Sequence, residues 1–166
     1  ESQLPVKILT KDNEYLQLVT DNTTLWLMHS SAEKTQEIFD KYHMKKEDMA
    51  IPDRVFPFNP QLVKEEFGIE PCHVNSLKGL AGDKSDNITG VPGVGAVSAV
   101  KLIKEYGTVE KLYEAIDNLD KAGEKAIKEY WKEKLDLKRS PLAYLLKESD
   151  TELVGKKAAF LSEKLA

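Results

Sequence analysis

The spacing of apolar residues predicts two short strands near the start of the chain. Residues 5–10 read Pro-Val-Lys-Ile-Leu-Thr, a β-branched and apolar run that is typical of a strand, and residues 23–28 form a second such run. Between them, Asp12 precedes a helical pattern over residues 15–19 and suits the N-cap position. The order strand, turn, helix, strand is typical of a parallel α/β arrangement.

Beyond residue 30 the apolar positions recur at helical spacing between start and stop residues. Ser30 or Ser31 precedes a helix over 32–42, and Asn59 precedes a short helix that begins with Pro60 and ends at Gly68. Mixed charge and two prolines without a clean period predict a loop over 45–58. Further helices are predicted over 71–80, 96–106 and 109–116, and within 122–148 on either side of 138–141.

These elements place the chain in the α/β class, with mostly α content. We expect a partial parallel sheet within residues 1–58, followed by a helical region over 59–166. A chain of 166 residues is long enough for one domain with its own core, or for one domain with a small appendage.

Composition narrows the function classes. The formal net charge of −4 argues against DNA binding through bulk charge, although 24 lysines and arginines leave room for a local basic face. A single cysteine, Cys72, excludes an internal disulfide and favours an intracellular, cytoplasmic location. No apolar run of the sequence is long enough to span a bilayer, so no membrane partner is expected.

The richest chemistry lies between residues 80 and 103. Asp83 and Asp86 stand three positions apart, and carboxylates at this spacing can share a hard cation such as Mg²⁺. The glycine-rich run from Gly90 to Gly95 follows and leads into a helix, so its backbone N–H groups suit a phosphate. Together these features indicate phosphodiester chemistry; the alternative is an ordinary acidic turn before a helix.

Residues 82–95 read Gly-Asp-Lys-Ser-Asp-Asn-Ile-Thr-Gly-Val-Pro-Gly-Val-Gly. This block resembles the signature of the bacterial 5′-nucleases, which comprise the 5′→3′ exonuclease domains of DNA polymerase I and stand-alone relatives akin to flap endonucleases. Residues 10–19, Thr-Lys-Asp-Asn-Glu-Tyr-Leu-Gln-Leu-Val, are similar to the family's second signature, Thr-Gly-Asp-Lys-Asp-x-x-Gln-Leu-Val. The first motif is long and particular, which makes it a far stronger signal than a lone Gly-x-Gly.

The resemblance implies hydrolysis assisted by two metal ions, Mg²⁺ or Mn²⁺. It assigns Asp12, Asp83 and Asp86 as catalytic residues and adds Glu14 to these three as a fourth metal ligand. Two positions depart from the family pattern, because Lys11 replaces a glycine and Glu14 replaces an aspartate. For Glu14 the alternative of a solvated side chain in the first helical turn stays open.

The resemblance also implies a DNA grip. The segment over about 80–116 fits a helix-hairpin-helix, which the family elaborates into a helix–three-turn–helix that holds one strand of a duplex and a K⁺ ion. The residues that it assigns to DNA contacts are Gly90, Gly93, Val94, Gly95, Ser98 and Lys101. Hairpin amides at a helix start contact phosphates without reading base sequence. The alternative is that these glycines serve only packing and tight turns.

We therefore expect the carboxyl-terminal part of a Mg²⁺-dependent 5′→3′ exonuclease or flap endonuclease that acts in replication and repair. The expected substrate is 5′-flap, nicked or branched DNA, and the expected setting is a monomer in the nucleoid-associated cytoplasm of a bacterium. The family's amino-terminal half, with the remaining metal ligands, has no counterpart in this sequence, so the chain alone is expected to be inactive. The alternatives are a non-catalytic, structure-specific DNA-binding module and a scaffold without DNA affinity.

Overall fold

The computed structural model describes residues 4–166, which divide after Cys72 into two units, each with its own buried core. Strands, two α-helices and short 3₁₀ helices, including Lys46–Asp48, make up the first unit, and helices alone make up the second. The domain division predicted after residue 58 stays a prediction. Across residues 4–166 no helix is both long and apolar enough to cross a membrane.

Three strands form the sheet of the first unit in the order β1 (Val6–Thr10), β2 (Thr23–Met28) and β3 (Val55–Phe58). β1 and β2 pair in parallel, as predicted, but β3 pairs antiparallel to β2 and makes the sheet mixed. The loop predicted over 45–58 is therefore wrong for its last four residues. Pro57 argued against a strand in the sequence, because a proline has no N–H to donate to a strand ladder. A proline is nevertheless tolerated in a strand at the edge of a sheet, which is the position of β3.

Helical segments of the first unit begin at the predicted caps. Asp12 caps a 3₁₀ helix, Asn13–Leu18, and Ser31 caps α1 (Ala32–Lys41) by accepting a hydrogen bond from the Lys34 N–H. Asn59 caps α2 (Pro60–Phe67) in the same way, and Gly68 ends that helix in the left-handed conformation. An aromatic core ties these elements to the sheet: ring contacts run from Phe39 through Phe56 and Phe58 to Phe67.

Six helices form the second unit. They are α3 (Val74–Ala81), α4 (Ala96–Tyr106), α5 (Val109–Ile116), α6 (Lys121–Lys134), α7 (Leu142–Leu145) and α8 (Gly155–Leu165). α4 and α5 have the predicted bounds, with Gly107 and Thr108 between them as the predicted stop and cap. Residues 71–73 form a 3₁₀ turn before α3, and α7 is a single turn, so the second helix predicted within 122–148 is much shorter than expected.

α3 and α8 pack against each other at the centre of the second unit, and α4 and α5 contact α3 as well. The core consists of fully buried apolar side chains from several helices, including Leu80, Leu102, Ile103, Leu112, Ile116 and Ala159. Burying a leucine or isoleucine side chain contributes about 1.5–3 kcal/mol. This packing holds α3 and α4, and therefore positions the segment of residues 82–95 between them.

Candidate functional site

The segment between α3 and α4 has two parts, which we call the acidic turn (residues 83–88) and the glycine hairpin (residues 90–95). Backbone N–H groups of Asp83 and Ile88 each donate to the other residue's carbonyl, at 2.8 Å, and close the acidic turn. Ile88, Val91 and Val94 are buried and anchor both parts to the helices. The loop is therefore a fixed structure rather than a linker.

In the acidic turn, two carboxylates share one ammonium group. Lys78, on the last turn of α3, places its Nζ 3.0 Å from Asp83 Oδ2 and 3.4 Å from Asp86 Oδ2. Ser85 donates to Asp83 Oδ1 through both its hydroxyl, at 2.5 Å, and its backbone N–H, at 2.9 Å. The structure thus brings Asp83 and Asp86 together, as the sequence predicted, with a cation already beside them.

The surroundings of Asp83 favour its ionised form. The hydrogen bond from the Ser85 hydroxyl is the largest cause, and Lys78 adds to it, so the pKa of Asp83 is lowered to about 2 despite partial burial. Hydrogen bonds to a charged carboxylate and a nearby opposite charge both disfavour the proton. Asp83 is therefore a carboxylate at neutral pH, the form in which a carboxyl group ligates a metal ion.

Asp12 and Glu14 belong to the first unit, where they lie just after β1. The Asp12 carboxylate accepts a hydrogen bond from the Glu14 N–H at 2.8 Å, and the Asp12 N–H donates to Thr10 Oγ1 at 3.1 Å. Asp12 is thus an N-cap, and metal ligation by Asp12 and Glu14 stays a prediction. Among residues 4–166 no group of three or more histidine, cysteine, aspartate or glutamate side chains is clustered as a metal site.

Three of the predicted DNA-contact residues have structural tasks in the hairpin. Gly90 is buried at φ 67°, its N–H donates to Ser162 Oγ on α8 at 3.0 Å, and a Cβ at this position would overlap the backbone of Gly82. Gly93 has φ 94°, and a Cβ there would overlap the ring of Tyr144. Val94 is only 5% exposed. Glycine at 90 and 93 is therefore required by the fold itself.

Of the other three, Gly95 and Ser98 lie at the start of α4 and Lys101 lies in its middle. Gly95 is exposed, has an ordinary φ of −85°, and a Cβ built on it would meet no atom within 4 Å. Ser98 is half-buried one turn later. Lys101 donates to the Asp136 carbonyl at 2.8 Å and lies 3.2 Å from the Asp136 carboxylate, so its charge is already engaged. Gly95 is the N-cap residue of α4, and neither backbone strain nor packing around its Cα requires a glycine there.

Two residues of the site were missed by sequence reasoning. Lys78 had a detectable signal, because it is the one lysine of α3, five positions before Asp83, in a helix that is otherwise apolar or small and uncharged. Tyr144 had none: it lies 51 positions after Gly93, on α7, and packs against that glycine while half of its side chain stays exposed. Only the packing of α7 brings it to the hairpin.

Comparison with known proteins agrees with the resemblance. The family model described as 5′-3′ exonuclease, C-terminal SAM fold, matches residues 69–164. DNA polymerase I of Caldicellulosiruptor bescii is 34% identical over 163 residues, covering 98% of this chain and 14% of the polymerase. A 5′-3′ exonuclease of Mycoplasma pneumoniae is 31% identical over 123 residues, covering 74% of this chain and 35% of that protein.

A similarity to a solved structure, T5 5′-exonuclease with bound zinc, has 20% identity and a TM-score of 0.48. It covers 76% of this chain and 38% of that one. The chain thus spans about a third or less of the length of the two curated relatives described above.

Proposed function

Because the chain belongs to the 5′-3′ exonuclease family through its C-terminal SAM fold, we propose that it holds duplex DNA for a 5′→3′ exonuclease or flap endonuclease. The parent activity is phosphodiester hydrolysis in replication and repair, within a DNA polymerase I or a stand-alone nuclease. Its substrate is DNA with a 5′ flap, a nick or a branch. The chain acts as a monomer in the bacterial cytoplasm, near the nucleoid.

The observation that carries this proposal is the open surface at Gly95. A glycine with ordinary φ and empty space around its Cα is not explained by backbone strain or by internal packing. No side chain caps α4 at this residue, and the same holds for α3, α7 and α8, whereas Thr108 and Asp120 cap α5 and α6. The first N–H groups of α4 therefore have no side-chain partner at the cap, and a phosphate oxygen can approach them closely where no Cβ intervenes.

The acidic turn fits a divalent cation. Its donors are carboxylate oxygens, which Mg²⁺ and Mn²⁺ prefer, and the Lys78 ammonium shows that a cation is favourable between them. Asp83 and Asp86 would hold the metal, and metal ligation by Asp12 and Glu14 stays a prediction of the family resemblance. A bound metal of this kind lowers the pKa of water and stabilises a leaving oxygen. A K⁺ ion at the glycine hairpin completes the proposed set.

A second candidate is a module that holds DNA without cutting it. Lys78 favours this for the chain alone, because its ammonium already pairs with both aspartates that would hold a metal ion. The two candidates share the DNA grip at the glycine hairpin and differ in the acidic turn. Metal titration separates them, because a part of a nuclease should bind Mg²⁺ or Mn²⁺ through Asp83 and Asp86, whereas a module that only holds DNA need not.

DNA affinity tests the shared part. We would measure fluorescence anisotropy of a labelled 5′-flap duplex in K⁺ buffer across a salt series, for the wild-type chain and for Gly95→Ala and Gly95→Asp. The added methyl group blocks close approach and is expected to weaken binding about 3-fold, and the carboxylate, which repels phosphate, about 10-fold or more. Both variants should fold, because a Cβ at this position meets nothing. Gly95→Asp should melt slightly above the wild-type temperature, because a carboxylate at this N-cap position can accept from the first N–H groups of α4.

The matched control is Ala126→Asp, which adds the same charge on an exposed position of α6. Equal loss of affinity in this control would mean that net charge, not the glycine hairpin, governs binding. Unchanged affinity in Gly95→Asp would reject the proposed grip. Mg²⁺-dependent cleavage by this chain, abolished by Asp83→Asn, would show that the chain needs no further ligands and would rule out the non-cutting module.

A further inference from the structure

Lys78 is a buried charge in an otherwise uncharged helix. It is 9% exposed, and the fully buried Leu80 lies two positions later in α3. Taking an ammonium group out of water is costly unless opposite charges compensate it. Its compensation comes from the acidic turn, so this lysine is placed by the two aspartates and is not a solvated surface residue.

The ammonium stands where a shared cation would stand. It lies 3.0 Å from Asp83 Oδ2 and 3.4 Å from Asp86 Oδ2, so it contacts one oxygen of each carboxylate. A metal ion that binds both aspartates needs oxygens of the same two groups. Lysine carries its charge on a flexible four-carbon stem, so the ammonium can withdraw when a stronger cation arrives.

We propose that Lys78 is a built-in competitor of the divalent metal ion at Asp83 and Asp86. It keeps the two carboxylates together in the metal-free chain and lowers their affinity for the metal, which must displace or repel the ammonium to bind. This inference rests on the metal site of the proposed function and adds an internal control of metal occupancy to it.

Electrostatics supports a net cost to metal binding. Without a cation, the two carboxylates repel each other and the acidic turn loses an ion-pair partner on each side. With Lys78 present, the group of three carries a single negative charge, whereas without Lys78 it carries two. A divalent ion is therefore attracted less strongly to the wild-type site, and two nearby positive charges repel each other at a partly buried position.

Metal titration of charge variants tests the inference. Mn²⁺ binding would be measured by isothermal titration calorimetry and by electron paramagnetic resonance, for the wild-type chain, Lys78→Met and Lys78→Gln. Removing the ammonium is expected to tighten Mn²⁺ binding about 10-fold or more in both variants. The glutamine variant keeps a hydrogen-bond donor for the aspartates, so it serves if the methionine variant is poorly folded.

Lys84→Met is the matched control. Lys84 is exposed and follows Asp83 directly, so its removal changes the net charge of the same turn without emptying the place between the carboxylates. We expect less than about a 3-fold change in this variant, because solvent screens exposed charges. Lys78→Arg, which retains the charge, should bind Mn²⁺ no more tightly than the wild-type chain.

Three outcomes would overturn the inference. Equal Mn²⁺ affinity of the wild-type chain and both neutral Lys78 variants would show that Lys78 does not compete with the metal ion, while the metal site itself would still stand. Equal tightening in Lys84→Met would reduce the effect to general charge. Absence of Mn²⁺ binding from all variants would reject the metal site itself, while the DNA grip at Gly95 would still stand on its own anisotropy test.

Discussion

The acidic turn and the glycine hairpin are adjacent in sequence, but they differ in how far their polar groups are paired within the chain. The carboxylate of Asp83 has two donors from Ser85 and a third in Lys78, all within the chain. The start of α4 at Gly95 has neither a side-chain cap nor a neighbouring atom where its Cβ would stand. A ligand must therefore displace internal partners at the acidic turn, but it needs only to approach at the glycine hairpin.

Two glycines of the hairpin differ in the same respect. Gly90 is buried and bonded to α8, whereas Gly95 is exposed and ordinary in backbone conformation. Gly90 is required for the folded structure, whereas Gly95 is accessible for contact with a ligand. Substitutions that change stability and DNA affinity separately test this difference between the two glycines.

The largest effect on stability is expected for Gly90→Ala. Its φ of 67° disfavours an L side chain, and the new Cβ would overlap the Gly82 backbone, so we expect a loss of about 3 kcal/mol. Urea denaturation followed by circular dichroism measures it. Gly95→Ala is the matched substitution and should stay within about 0.5 kcal/mol of the wild-type free energy of unfolding. Similar losses in both variants would contradict the division between structural and open glycines.

A smaller effect is expected for Ser162→Ala. The Ser162 hydroxyl on α8 accepts the buried N–H of Gly90 at 3.0 Å, and its removal leaves that donor without this partner. The expected cost is about 1–2 kcal/mol in urea denaturation. Ser149→Ala is the comparison in the same unit, because the hydroxyl of this partly buried serine also accepts backbone N–H groups, but in an exposed turn where water can replace it. If this hydrogen bond to α8 positions the glycine hairpin for DNA, Ser162→Ala should also lower DNA affinity. Unchanged DNA affinity would mean that the bond contributes to stability alone.

Acid should weaken the chain partly through Asp83. Its folded pKa of about 2 lies below the ordinary value, so the unfolded state binds more protons and stability declines as pH falls. This contribution is complete above about pH 5 and is lost as pH falls through the folded pKa near 2. Asp83→Asn should flatten the dependence of unfolding free energy on pH between about 5 and 2, by about 1 kcal/mol. If the unfolding free energies of the variant and the wild type depended on pH in the same way, Asp83 would not contribute to the acid sensitivity.

The smallest effect concerns Lys101. Its ammonium is bonded to Asp136, so Lys101→Met should reduce DNA affinity about 2-fold or less and leave the salt slope nearly unchanged. Asp136→Asn removes the competing carboxylate and should raise the affinity slightly. A reduction of the salt slope by about one unit in Lys101→Met would instead identify a direct phosphate contact.

Local signals explain which parts of the fold were predictable. Asn59, Thr108 and Gly107 act on the few residues beside them, and the bounds of α4 and α5 agree with the prediction. β3 was missed because its only support is pairing with β2 and packing of Phe56 and Phe58, both of which depend on residues far along the chain. Pro57 suppressed the remaining local signal for a strand.

Some features of the candidate site were also predictable from local sequence, and others were not. Asp83, Asp86 and the glycines could be named from the sequence because their spacing is short and family-specific. Spacing alone did not distinguish Gly90 from Gly95, which needed the positions of Gly82 and Ser162. Nor did it reveal that Tyr144 packs on Gly93.

Residues close together along the chain encode the helix caps, the acidic pair, the glycine hairpin and the family signature, so these features could be predicted from the sequence. Three features emerge only in the folded chain: the open position of Gly95, the place of β3 in the sheet, and the lysine ammonium that pairs with both Asp83 and Asp86. The physical reason is that burial and ion pairing depend on distances in space, and packing sets these distances for residues whose local sequence leaves them free.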